Sequence, residues 1–194
     1  MEKTLERMVE VRWHARAGQG AVTAAETLAA AALREGRHVQ AFPEFGPERM
    51  GAPLRAFNRL SPHPIRIHGV VDEVDVVLVV DPSLLGVVPV DANVAPGGLI
   101  LANTTQSPPE LRRILTLNGQ QVACVDATQI AVDCIGLLKP NTPMLGAVAR
   151  VTGLVGLETV LVEVEESFSK KFSPRVVEGN LEAIRRAYEE VSDG

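Results

Sequence analysis

Three short runs constrain the fold more than any other feature: VVLVV at residues 76–80, LILA at 99–102 and QVACV at 121–125. None of them alternates apolar with polar residues, as a strand with one wet face would. Unbroken runs rich in β-branched residues are what strands look like when both faces are covered, the usual state of parallel strands between helices. Each run stops at a polar residue: Asp81-Pro82, Asn103-Thr104 and Asp126. In open α/β sheets ligands gather outside the carboxyl ends of such strands. The same residue types also cap helices and form turns, so Asp81, Asn103, Thr104 and Asp126 have two readings, ligand contact and capping. Asn103 and Thr104 are the stronger ligand candidates, because Ser107 can cap the proline-opened helix of SPPELRRILTLNG.

A fourth strand, residues 9–14, runs into Gly18-Gln19-Gly20 and then into an Ala/Leu-rich stretch over 23–36 that ends at a glycine. This reads as strand, tight turn, helix. A helix opens with unpaired N–H groups and the positive end of its dipole, and glycines let a phosphate or carboxylate approach them. As a dinucleotide fingerprint the segment is incomplete, with Thr23 where a third Gly or Ala would favour close packing, and no P-loop lysine follows. A ligand-bearing turn and an ordinary strand-to-helix corner both fit.

The segment FPEFGPERMGAP, residues 42–53, is punctuated by Pro and Gly and carries Glu44, Glu48 and Arg49, with Arg55 just beyond. Glu44 stands where an acidic residue could close a second strand, in a stretch that reads as loop. Phe45 and Pro47 could pack a turn while Glu48 and Arg49 form a surface pair. The arginines could equally meet an anion. Phe42, Phe45, Met50 and arginine also make the composition of a protein interface. Further on, Pro62-His63-Pro64 reads as the turn of a hairpin-like element, residues 142–153 and 157–166 have helical spacing, and 174–191 reads as an amphipathic helix with Leu181, Ile184 and Tyr188 on one stripe.

The 194 residues can bury one substantial core, and the expectation is a single domain over residues 1–194. Its fold class is α/β: a three-layer α/β/α, Rossmann-like, mostly parallel sheet with a hairpin-like extension. A net charge of −5 argues against general nucleic-acid binding. No apolar run is long enough for a membrane span, and the opening MEKTLERMVE lacks a secretory signal, so a cytoplasmic location is expected. Cys124 and Cys134 lie outside any CxxC pattern, and the four histidines lack metal-ligand spacing. No metal-binding, catalytic-serine or thiamine motif is present.

HARAGQGAVTAAETLA, QAFPEFGPERMGAPLRAFNRL, NTPMLGAVARVTGL and NLEAIRRAYEE, in this order, resemble the gamma subunit of pyruvate and related 2-oxoacid:ferredoxin oxidoreductases. Two departures stand out: Ala15 and Ala17 replace glycines of the family's GRGGQG, and Met50 replaces a common basic residue. Positive φ at either alanine would be strained. The resemblance implies a non-catalytic subunit of an enzyme that converts a 2-oxoacid, coenzyme A and oxidised ferredoxin to acyl-CoA, carbon dioxide and reduced ferredoxin, or runs the reverse. Thiamine diphosphate and iron-sulfur clusters would reside in alpha, beta and delta subunits or their fused equivalents. The gamma part would help bind coenzyme A and complete the assembly. Polyanion recognition by helix-terminal N–H groups and arginine forks assigns Arg16, Gly18, Gln19, Gly20, Thr23, Glu44, Arg49, Arg55, Asn103 and Thr104 to that site. Pyruvate is the favoured oxoacid, with branched-chain 2-oxoacids as the alternative. A stand-alone dinucleotide-binding domain and a purely structural subunit are the rival readings.

Overall fold

The structure, a computed structural model, describes residues 6–44 and 52–194. The expected loop positions Phe45, Pro47, Glu48, Arg49 and Met50 lie outside the described residues. The described residues form a seven-stranded mixed sheet of order β2-β3-β1-β4-β5-β6-β7. Its centre is parallel: β1 (Val9–Arg16), β4 (Val74–Val79), β5 (Val94–Asn103) and β6 (Gln121–Val125). These are the strand of residues 9–14 and the three apolar runs. β2 (His38–Glu44) and β3 (Pro53–Ser61) extend the sheet beyond β1 as an antiparallel pair, and the two-residue β7 (Ser192–Asp193) borders β6.

The hairpin-like extension is present, but its turn is elsewhere. β2 pairs with β3, and strand β2 runs through Pro43 to Glu44 where a loop was expected. Proline is tolerated there because β2 is an edge strand. Pro62-His63-Pro64 instead begins an irregular crossing from β3 to β4, which are not neighbours. Buried Arg59 holds that crossing to the sheet: its guanidinium donates to the carbonyls of Gly69 (2.8 Å) and Ile67 (3.3 Å) and pairs with Glu10 at 2.6 Å.

The helices are α1 (Ala21–Arg34), α2 (Pro108–Ile114), α3 (Ala127–Ile135), α4 (Asn141–Thr152), α5 (Leu157–Ser169) and α6 (Pro174–Glu190). The layers are unequal. Val11, Trp13, Leu78, Leu101 and Ala123 face the larger core with α1, α3, α4, α5 and α6. Val77, Val79, Ile100 and Val122 face a smaller core closed by Leu84, Val90 and, from α2, Leu111. Alanines let α1 lie close to the sheet, and it stops at Gly36 (φ 80°), where the Gly36 N–H donates to Leu33 and the Arg37 N–H to Ala32. Inside the larger core the Trp13 indole N–H donates to Asn58 Oδ1 (2.8 Å) and Asn58 Nδ2 to the Ala25 carbonyl (2.7 Å), stitching β1, β3 and α1 together.

Candidate functional site

The chain leaves β1 toward β2 by way of α1 and leaves β4 toward β5 across the other face of the sheet, so the strand order reverses between β1 and β4. A crevice opens at the carboxyl ends of two strands whose connections diverge in this way. Gly18 (φ 93°) and Gly20 (φ 79°) turn the chain there with left-handed backbone that other residues adopt only under strain. Ala15 is buried in β1, and Asn93 alone among the described non-glycine residues has positive φ, so the two alanines that replace family glycines sit in ordinary backbone. The first hydrogen bond of α1 runs from Ala24 N–H to Gly20 C=O. The N–H groups of Ala21, Val22 and Thr23 precede it and have no intrahelical partner.

Gln19 spans the crevice. Its Nε2 donates to Asp81 Oδ2 at 2.7 Å, and its Oε1 accepts the Arg16 N–H at 2.7 Å. Asp81 follows β4 and also caps the 3₁₀ turn Pro82–Leu84, accepting the Ser83 N–H at 2.8 Å. Of the two readings of Asp81 the capping one is met, and the residue also borders the glycine turn through Gln19. Burial alone would raise its pKa, but Ser83, Gln19 and the nearby Arg16 outweigh that and leave it lowered, so the carboxylate is ionised. Arg16 Nε donates to Ser83 Oγ at 3.0 Å and lies 3.4 Å from Asp81 Oδ2.

Two further groups arrive from a distant part of the chain. Lys139 Nζ donates to the Gly18 carbonyl at 2.8 Å, and Asn141, the first residue of α4, lies so close that a Cβ on Gly20 would come within 2.7 Å of its Nδ2. The N-termini of α1 and α4 thus converge on the turn, with Arg16 and Lys139 as cations. Sequence reasoning missed Ser83, Lys139 and Asn141 as site residues. Asn141 opens the NTPMLG motif, but its place beside residue 20 has no local signal, and Lys139 has none at all.

The remaining sequence candidates lie elsewhere. Thr23 lends its N–H to the turn while its exposed side chain borders a groove with Glu163 and Lys171. Asn103 is buried, its Nδ2 donating to the Val80 carbonyl (2.7 Å) and Thr128 Oγ1 (2.8 Å) and its Oδ1 accepting the Thr128 N–H (3.1 Å). Thr104 Oγ1 accepts the Gln106 N–H at 3.1 Å, and Asp126 caps α3 through the Gln129 N–H at 2.9 Å. Glu44 and Arg55 pair with each other and line a separate pocket with Arg12 and His14.

The crevice is suited to holding an anion rather than to breaking bonds. It offers N–H groups and cations, and Asp81, the carboxylate in it, is already committed to three partners. Among the described residues no group of three or more His, Cys, Asp and Glu is placed to hold a metal ion, and no helix is long and apolar enough to cross a membrane.

The family model of pyruvate ferredoxin/flavodoxin oxidoreductase matches residues 10–190. The chain belongs to this family. Similar members include the pyruvate synthase subunit PorC of Thermotoga maritima, 47% identical over 186 residues that cover 96% of both chains. The pyruvate/ketoisovalerate oxidoreductases common subunit gamma of Pyrococcus furiosus is 50% identical over 94% of this chain and 96% of its own. The crystal structure of the Thermotoga maritima subunit superposes with a TM-score of 0.86 at 43% identity, covering 97% of this chain and 99% of that one. The same fold recurs in a longer protein, the 2-oxoglutarate:ferredoxin oxidoreductase of Magnetococcus marinus, solved with 2-oxoglutarate, coenzyme A and succinyl-CoA bound. There the TM-score is 0.77 at 20% identity, and the match covers 95% of this chain and 31% of that one. Family members of this kind are subunits of an oxidoreductase complex.

Proposed function

We propose that this chain, as one gamma-type domain, serves a multi-subunit 2-oxoacid:ferredoxin oxidoreductase by helping to bind coenzyme A and by completing the assembly. The observation that carries the coenzyme A reading is the crevice between β1 and β4, where left-handed Gly18 and Gly20 open the N-terminus of α1 beside Arg16 and Lys139. Phosphates of coenzyme A are the ligand groups such a cradle favours. Thiamine diphosphate and the iron-sulfur clusters belong to alpha, beta and delta partners in this reading, and ferredoxin receives the electrons. In this reading Gly18, Gln19, Gly20 and the Thr23 N–H face the phosphates and Arg16 and Arg49 neutralise them, with Asn103 and Thr104 at the neighbouring strand end; Glu44 and Arg55, assigned to the same site from the sequence, line the separate pocket instead. A cytoplasmic location follows from the same role.

Pyruvate is the proposed oxoacid. The Pyrococcus relative is named as a subunit common to pyruvate and ketoisovalerate enzymes, which favours a gamma chain that also serves branched-chain 2-oxoacids. The test is anaerobic purification of the tagged chain from its own cells and an assay of pyruvate-driven, coenzyme A-dependent viologen reduction. Activity with co-purified thiamine and cluster subunits is expected. In that complex Arg16→Gln should raise the KM for coenzyme A by roughly 10-fold or more, the cost of a lost charge-assisted hydrogen bond, with assembly intact. A chain recovered alone, or an unchanged KM, would overturn the corresponding half of the reading.

A further inference from the structure

The second face of β1 carries a different arrangement. Arg12 and His14 are two residues apart on one strand face, only 4% and 3% exposed, and both line a pocket of about 380 Å³. Arg55 stands opposite His14 in the β1–β3 register, and Glu44 opposite Arg55 in the β2–β3 register. Val88, Pro89 and Pro53 supply an apolar wall. Asn93, in left-handed backbone (φ 56°), completes the lining.

The polar groups here are under-satisfied. One Arg12 nitrogen, Nη2, donates to the carbonyls of Val90 (3.0 Å) and Ala92 (2.6 Å), but Nε has no partner, and no ion pair of Arg12 is found among the described residues. His14 Nε2 is likewise buried without a partner. Burial, with Arg12 and Arg55 nearby, lowers the His14 pKa to about 3, so its ring is neutral and offers one donor and one acceptor. The lining sets two guanidinium groups against one carboxylate, and that carboxylate, Glu44, is taken by Arg55. Asp91 acts on Arg12 from outside the lining, but its carboxylate accepts the Thr116 N–H at 2.6 Å. A buried cation without its own counter-ion, beside an unpaired imidazole nitrogen, calls for an acceptor with more than one oxygen.

We propose that this pocket is a second anion site, in which Arg12, His14 and Arg55 hold the carboxylate or phosphate of a small organic molecule whose apolar part lies against Val88 and Pro89. The coenzyme A reading rests instead on Gly18, Gly20 and Lys139 at the glycine turn, so the two sites are tested separately. The test is NMR of the ¹⁵N-labelled full chain, following the His14 imidazole during titration with sodium phosphate and, separately, sodium acetate. A His14→Gln variant assigns the signal, and sodium chloride at equal ionic strength serves as the control. A saturable His14 shift with phosphate or acetate, absent with chloride, is expected, and the arm that saturates at lower concentration identifies the ligand class. Arg55→Gln, at a half-exposed position that the core does not need, should weaken that binding about tenfold or more. No shift with either anion, an equal shift with chloride, or undiminished binding in Arg55→Gln would overturn the proposal. A His14 shift that occurs only when partner subunits assemble would overturn it too, since a partner's side chain would then be the occupant. Coenzyme A is read separately from the amide signals of Gly18 and Gly20, so either site can fail alone.

Discussion

At the scale of the residue, His14 shows what burial beside arginines does to a titrating group. The unfolded chain protonates this ring near the ordinary histidine pKa of 6.5, whereas the folded chain holds it neutral down to about 3. Between those values the unfolded state binds more protons, so His14 makes stability fall as the pH drops. The groups acting on it are the cations Arg12 and Arg55, with Glu44 paired to the latter. Its ring carbons should therefore show no titration between pH 7.5 and 4.5 by NMR. His14→Gln should flatten the acid limb of the stability profile, and an ordinary midpoint near 6.5 would refute this account. The glycines of the turn were legible from sequence because left-handed backbone admits few residue types. Lys139 and Asn141 were not, since proximity across some 120 residues leaves no local pattern.

At the scale of the element, the contact of α4 with α6 depends on an absent side chain. A Cβ on Gly146 would stand 2.0 Å from the Ile184 carbonyl oxygen, a backbone atom that cannot step aside. Gly146→Ala must push the helices apart, and overpacking of this kind costs about 1–3 kcal/mol or more. Urea unfolding followed by Trp13 fluorescence should show that loss as a lower midpoint, and an unchanged midpoint would mean the helices have slack. The helices themselves were readable from spacing, with α4 and α6 falling within a residue or so of expectation. The hairpin turn was misplaced because pairing partners are set by the whole sheet. Pro62-His63-Pro64 has turn chemistry, yet the chain goes on from there past β1 to reach β4.

At the scale of the molecule, two cores share one sheet. The parallel centre was legible from its uninterrupted apolar runs, but the inequality of the layers was not, because a run covered on both sides does not say by what. Sharing the sheet ties the two cores into one cooperative unit. In a Cys134→Ser background, urea midpoints from Trp13 fluorescence on one face and Cys124 labelling on the other should coincide. Burial pushes the Cys124 thiol up to about 11, so it reacts only once its face opens. Separate midpoints would divide the chain into two units.

Helix α4 touches the glycine turn at Asn141 and the backbone of α6 at Gly146, five residues further on. In mechanical terms this half of the helix is a strut, with the Asn141 amide at one joint and bare backbone at the other. A load applied to α6 from outside, such as the seating of another subunit on its exposed face, would be transmitted along α4 as a displacement of the turn rather than absorbed in the core between them.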